Sequence, residues 1–393
     1  MINPGLFENT ETAFRHLSDR DVRRAHFLFS VVNHPWVSAV ATGFLRWCLK
    51  LRLPIDGLIR ATIFRQFCGG ETIRESAAVI ERNGSLRVRT ILDYSVEGEN
   101  SEVDFEGTCS AVLETMEEAV GSAHVPFCVF KMTGLGDGEL LARIQAGSVL
   151  SEPEQAAFRR IRSRVDRICD RAREAGIPVL IDAEETWIQD PIDALAAEMM
   201  ARYNQEKALV FTTIQMYRKD GLAKLHQGLK AAQEGNYHFG VKMVRGAYME
   251  KERERAIRMD RPDPIQPDKA ATDRAFDEGL RFCVAHLDRI SLVCGSHNES
   301  SNLLLVNLLQ EHRIGQADGR VWFSQLLGMS DNISFNLARE GFNVVKYVPY
   351  GPVRSVIPYL IRRAEENTSV AGQSSRELKL IRQELKRRRK IRA

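Results

Sequence analysis

Apolar residues recur along this chain in two rhythms. Up to about residue 85 they fall three and four apart, as in ETAFRHLSDRDVRRAHFLF (11–29) and LIRATIFRQFCGG (58–70), the spacing that lines one face of a helix. Beyond that point, short β-rich runs alternate with longer amphipathic stretches. The runs are RTILDY (89–94), FCVFKM (127–132), IPVLID (177–182), ALVFTT (208–213), FGVKMV (239–244), ISLVCG (290–295), VWFSQ (321–325) and NVVKYV (343–348). AAFRRIRSRVDRICDRAREAG (156–176) and DGLAKLHQGLKAAQEG (220–235) are typical of the stretches between them. Near-continuous apolar strands separated by helices predict a parallel sheet covered on both faces. Eight such units in roughly 280 residues fit a closed (β/α)8 barrel of the TIM type better than an open sheet. The predicted layout is an N-terminal helical region (1–85), a barrel (86–370) and a basic helical tail (371–393).

The most apolar window, FLFSVVNHPWVSAVATGFL (27–45), is long enough to cross a bilayer, but Asn33, His34 and Pro35 interrupt it. It reads as a buried or membrane-surface helical pair. The opening MINPGLFENTETAF has acids and no apolar core, unlike a signal or Arg-rich transit peptide.

Composition narrows the function. With 393 residues, 44% hydrophobic and 27% charged, the chain can bury a sizeable core. A net charge of +3, most of the excess lying in KRRRKIRA (386–393), argues against bulk nucleic-acid binding. The helical tail ELKLIRQELKRRRKIRA (377–393) reads first as a solvated end, next as a contact with anionic lipid, last as a nucleic-acid arm. The cysteines number seven, form no CxxC and lie largely in apolar runs. This predicts reduced thiols in a cytoplasmic protein, with peripheral attachment to the inner membrane as the second location. No GxGxxG follows the first strand, and GxxxxGK[ST] and GxSxG are missing. Dinucleotide, P-loop and serine-hydrolase readings therefore fall away.

In a (β/α)8 barrel the active site lies at the C-terminal ends of the strands. Those ends carry Lys131; Asp182 and Glu184, after Ile181; Gln215 and Tyr217; Lys242, Arg245, Gly246, Ala247 and Tyr248; Ser296, His297 and Asn298; Gln325 and Leu326; and Tyr347. The last helical stretch, YGPVRSVIPYLIRRAEEN (350–367), adds Arg362 and Arg363. One histidine without a second nearby gives poor support for a metal centre. The ring suits a flat, electron-rich, anionic cofactor held with a small anionic substrate. Each member also has a plainer reading. The arginine doublet can complement a helix C-terminus and pair with Glu365 and Glu366. Lys131 and Asp182 can be a structural ion pair, His297 a satisfied buried histidine, and the aromatic residues and Leu326 packing.

Taken together, FKMTGLG, LIDAEET, TTIQMYRKD, KMVRGAYMEKER, GSHNESS, QLLGMSD and YVPYGP…YLIRRAEEN resemble the proline dehydrogenase family in its monofunctional, mitochondrial-type branch. The likeness covers roughly residues 85 to 370, with every motif at a predicted strand end. It implies an FAD-dependent barrel that oxidises L-proline to Δ1-pyrroline-5-carboxylate and passes electrons to membrane quinone.

By that resemblance Arg362 and Arg363 fork onto the proline carboxylate, and Lys131 and Asp182 lie beside substrate and flavin, with Glu184 as a brace. Tyr347 packs on the proline ring and disfavours hydroxyproline, while Leu326 and Tyr248 complete an apolar wall. The implied flavin contacts are Ile181, Gln215, Lys242, Arg245, Gly246, Ala247, Ser296, His297 and Asn298. Lys242 is a departure: many bacterial members have arginine there, so the arrangement about the flavin N5 is in question. The alternatives are a hydroxyproline dehydrogenase of the same fold and, in another class, a non-enzymatic regulator or membrane-binding protein.

Overall fold

The eight apolar runs form strands: β1 Val88–Tyr94, β2 Phe127–Phe130, β3 Val179–Ile181, β4 Val210–Gln215, β5 Phe239–Val244, β6 Ile290–Gly295, β7 Val321–Leu326 and β8 Val344–Tyr350. In this computed structural model they close into a parallel barrel in sequence order, surrounded by helices. The structure describes residues 5–32, 43, 56–95, 101–369 and 373–392. β2, β3, β4 and β8 are buried along their whole length. That is why they read as largely apolar runs and not as alternation.

Two strand boundaries differ from the sequence pattern, each for a local reason. β4 starts at Val210, not Ala208, because the Asn204 side chain accepts the N–H groups of Leu209 and Val210 at 2.9 and 2.8 Å. It then runs on to Gln215, which pairs in register with Val244 of β5. β3 shortens to three residues, following Pro178, whose carbonyl accepts the Cys128 N–H at 2.9 Å but which has no N–H to give.

Register sets what meets at the strand ends. Phe130 pairs with Ile181, and the Asp182 N–H donates to the Phe130 carbonyl at 3.0 Å. One residue further along, Lys131 and Asp182 therefore stand side by side. On β5, Lys242 is level with Thr213 of β4 and Val293 of β6.

The chain divides into two compact units that interleave in sequence. The first comprises Met1, Ile91–Tyr94 and Glu99–Ser324; the second comprises Ile2–Thr90, Ser95–Gly98 and Gln325–Ala393. The second unit has its own apolar cluster, including Phe14, Phe29, Phe67, Tyr359, Leu360 and Ile381. In the same unit the buried Lys346 ammonium donates to Asp331 at 2.7 Å and to the carbonyls of Leu326 and Met329. His16 Nε2 lies 3.3 Å from the same carboxylate. Burial works to raise the Asp331 pKa, but the charges of Lys346 and His16 outweigh it and hold the group well below the usual range. Next to it, Glu377 of the Gln373–Arg392 helix accepts the Ser330 N–H. Burial pushes its carboxyl up to about 7.

The tail is more firmly held than a solvated end would be. Glu384, fully buried, pairs with Arg387 and Arg388 at 2.8 and 2.7 Å. Arg388 also reaches Asp19 at 2.8 Å and the Phe14 and Leu17 carbonyls. Lys379, Arg382, Lys386, Arg389 and Lys390 remain exposed on one face of that helix. Among the described residues no helix is long and apolar enough to cross a membrane. Most of the 27–45 window, from 33 on, lies outside them apart from residue 43. The six described cysteines are buried and in no disulfide; Cys48 lies outside the described residues.

Candidate active site

In the first unit the structure brings Lys131, Asp182 and Lys242 together and adds a fourth member, Asp93. The Lys131 ammonium lies 3.6 Å from Asp93 and 3.8 Å from Asp182. Lys242, 6% exposed, donates to the other oxygen of Asp182. Two lysines and two carboxylates, from the ends of β1, β2, β3 and β5, form a balanced cluster. Partial burial makes each charge depend on the others, because stripping one partner leaves an uncompensated charge. Asp93 is the residue that sequence reasoning missed. A polar position inside RTILDY looks like ordinary strand alternation, and only the register of β1 with β2 aims it at Lys131.

A second layer lies beneath the cluster. The Glu184 carboxylate, buried to 3% exposure, accepts the Thr133 N–H at 3.0 Å and the Thr133 hydroxyl. Its own N–H donates to Gln189 Oε1 at 2.7 Å, and its carbonyl accepts from Gln215 Nε2 at 2.8 Å. Burial raises its carboxyl to about 7 against the pull of the Thr133 hydrogen bonds.

Around the end of β5, Arg245 is fixed on three sides. It donates to Asp273 at 2.7 Å, Ser296 at 2.8 Å and Ser301 at 2.9 Å, and its guanidinium lies 4.4 Å over the Phe276 ring. Burial raises Asp273, yet hydrogen bonds from Lys269 and Arg245 hold its carboxyl below the usual range. Ser296 Oγ also accepts the Asn298 N–H at 3.2 Å. Asn298 caps the Glu299–Glu311 helix by accepting the Ser301 N–H, with the half-buried His297 between them. The Ile181 carbonyl accepts from Thr213 at 2.8 Å. Gly246 has φ +134, and a Cβ there would lie 2.3 Å from the Tyr217 ring. Glycine is thus demanded by the protein's own packing. The Tyr217 hydroxyl is buried without a hydrogen-bond partner. Ala247 is half-buried, and Tyr248 is buried with Lys251 5.5 Å from its ring centre.

The remaining expected residues belong to the second unit. Leu326 packs against its apolar cluster, and Tyr347 is buried on β8, its carbonyl accepting the Leu327 N–H at 2.8 Å. Arg362 is half-buried on the Val353–Ser369 helix. Arg363 follows it on that helix; its side chain, like those of Glu365 and Glu366, lies outside the described residues. The doublet sits in mid-helix, not at the C-terminus that the dipole reading required.

Among the described residues no group of histidine, cysteine and acidic side chains is arranged to hold a metal. What the first unit offers instead is fixed cations and hydrogen-bond donors at strand ends and a helix N-terminus, chemistry suited to an anionic, hydrogen-bonding group.

Residues 76–376 match the family model described as proline dehydrogenase. The chain is 37% identical to the carbapenem antibiotics biosynthesis protein CarD of Pectobacterium carotovorum subsp. carotovorum, over 82% of this chain and 83% of that one. It is 32% identical to proline dehydrogenase 1, mitochondrial, of Dictyostelium discoideum, over 92% and 71% respectively. Hydroxyproline dehydrogenase of Xenopus laevis is also 32% identical, over 95% and 88%. Among solved structures, proline utilization A of Bdellovibrio bacteriovorus superposes with a TM-score of 0.71 at 20% identity, a likeness of fold. It covers 80% of this chain, which spans 34% of that longer protein.

Proposed function

This chain belongs to the proline dehydrogenase family, and from that premise we propose that it catalyses the FAD-dependent oxidation of L-proline to Δ1-pyrroline-5-carboxylate. The observation that carries the reading is the Lys131–Asp182–Lys242–Asp93 cluster at the strand ends, inside the segment that the family model matches.

The residues present fit an FAD. Arg245 is held in place with its side chain 21% exposed, the capped N-terminus of the Glu299–Glu311 helix lies next to it, and the hydroxyl of Tyr217, whose ring packs on Gly246, lacks a partner. Arg245 and that helix end would take the pyrophosphate, as positive ends of helices do for anions. Gln215, Lys242, Ile181, Gly246, Ala247, Ser296, His297 and Asn298 would hold the rest of the group. When bound, FAD supplies a two-electron acceptor for the hydride leaving the proline Cδ.

The chain's own residues bind and orient the substrate. Arg362 and Arg363 take the carboxylate through planar, permanently charged forks. Lys131 and Asp182 hold fixed charge beside the ring, and Leu326, Tyr347 and Tyr248 exclude water from its apolar edge. Orientation of this kind supplies much of the rate. The secondary amine reacts in its neutral form, so turnover rises with pH until that amine is deprotonated. Electrons leave to a membrane quinone, and the exposed cations Lys379, Arg382, Lys386, Arg389 and Lys390 support peripheral contact with anionic lipid.

The Xenopus laevis relative favours a second reading, hydroxyproline as substrate; Tyr347 weighs against it. The test is direct. The purified protein carries a visible flavin spectrum that anaerobic L-proline bleaches, faster than hydroxyproline does. A colourless protein, or a yellow one that proline leaves unchanged, overturns the proposal.

A further inference from the structure

Lys131 and Asp182 stand side by side at the ends of β2 and β3, but their charged groups are 3.8 Å apart. A lysine has a flexible four-carbon stem, so the place of its ammonium, which also lies 3.6 Å from Asp93, depends on the backbone from which it springs. Two residues further along each strand end there is a tighter link: Thr133 is bonded to Glu184 through both its N–H and its hydroxyl. The two links run in parallel between the same pair of loops.

We infer that Glu184 is a positioning residue, which sets Lys131 against Asp182 by anchoring the turn after β2 to the segment after β3. The turn it grips, Met132–Gly134, starts at Lys131, so the anchor fixes the backbone from which the lysine side chain springs. The anchor is itself held from two directions, by Gln189 at its N–H and by Gln215 at its carbonyl. Glu184 thus ties together the ends of β2, β3 and β4.

A carboxyl is an expensive choice for such a buried place, and a bond to backbone alone would be served by a neutral acceptor. What a carboxylate adds is two acceptor oxygens, both used by Thr133, and a proton that comes and goes near neutrality. The groups facing it are Thr133 and Lys131 from the turn after β2, Glu185 beside it, Gln189 from the following helix and Gln215 from β4. Of the charged ones, Glu185 favours the protonated form and Lys131 the ionised form. Ionised, Glu184 accepts both Thr133 hydrogen bonds; protonated, it gives up part of that capacity. The link therefore tightens as pH rises through about 7.

The inference rests on the proposed activity, and its tests keep the two apart. Bleaching of the wild-type flavin by L-proline tests the activity. For Glu184, Glu184→Leu lowers kcat/KM for proline by about 10- to 100-fold, chiefly through KM, as expected of a displaced binding group. Glu184→Gln keeps an acceptor for the Thr133 N–H and restores kcat/KM to within about threefold at alkaline pH, without the wild-type limb near neutrality. In a Lys131→Met background, Glu184→Leu costs less than about a further twofold, because the group it positions is gone. A readout independent of turnover is the melting temperature: the losses from Glu184→Leu and Lys131→Met together fall short of their sum. Unchanged kcat/KM and pH profile in Glu184→Leu overturn the inference, and so do additive melting losses.

Discussion

Lys242 and Asp182 form an ion pair that spans an intervening strand: the lysine stands on β5, the aspartate follows β3, and β4 lies between them. The same carboxylate has Lys131 at 3.8 Å on its other oxygen. Because the lysine is 6% and the aspartate 15% exposed, the pair is shielded from the screening that weakens surface bridges. Lys242→Met is expected to destabilise the fold by about 3–5 kcal/mol, the cost of stranding a buried charge. Lys242→Arg keeps the charge and recovers most of that loss. Urea unfolding of the three proteins measures both, and a Lys242→Met protein as stable as wild type would remove the pair from the account.

Arg362 and Arg363 are predicted to carry the affinity for proline. Methionine at either position should raise KM by about 10- to 150-fold, the equivalent of the roughly 1.5–3 kcal/mol of a hydrogen bond to a charged group. The flavin stays bound, seen as an unchanged visible band, if the doublet serves the substrate as proposed. Loss of flavin together with activity would assign the doublet to the cofactor.

Buried acids set the pH dependence of stability. The Glu377 carboxyl is raised from 4.5 to about 7, so the unfolded chain releases its proton first, and this group's contribution falls as pH rises from about 4.5 to 7. Asp331 has the opposite sign, being held low: its contribution is present above its unfolded pKa and is lost only in strong acid. Glu377→Gln should therefore melt higher than wild type at pH above neutrality and no higher in mild acid. Parallel melting curves across that range would contradict the assignment.

The exposed face of the last helix makes a separate prediction. Reversing Lys379, Lys386 and Lys390 to glutamate should abolish sedimentation with vesicles rich in anionic lipid. Wild type should bind them less as salt rises, as electrostatic attachment requires. Turnover with a soluble electron acceptor stays the same. Equal binding by both proteins would place the membrane contact elsewhere.

The barrel was legible in the sequence because its buried strands leave long apolar runs, and Lys131 and Asp182 were legible because each closes such a run. Asp93 was not, since its meaning depends on the register of β1 against β2. Nor were the partners of Arg245: Asp273 and Ser301 lie 28 and 56 residues away on separate helices, and only folding brings them in. The arginine doublet resembled a helix end because it follows an apolar stretch and precedes two glutamates; the helix, with Pro358 inside it, runs on past the doublet to Ser369. The joining of the chain's two ends in one unit was hidden for a different reason. It depends on contacts such as His16–Asp331–Lys346 that no local pattern announces.

The four charges at the strand ends cancel, Lys131 and Lys242 against Asp93 and Asp182. An incoming amino-acid carboxylate therefore finds no surplus of positive potential there. On the proposed reading, attraction of the acid falls to other cations, and the quartet contributes placement of charge instead of net charge.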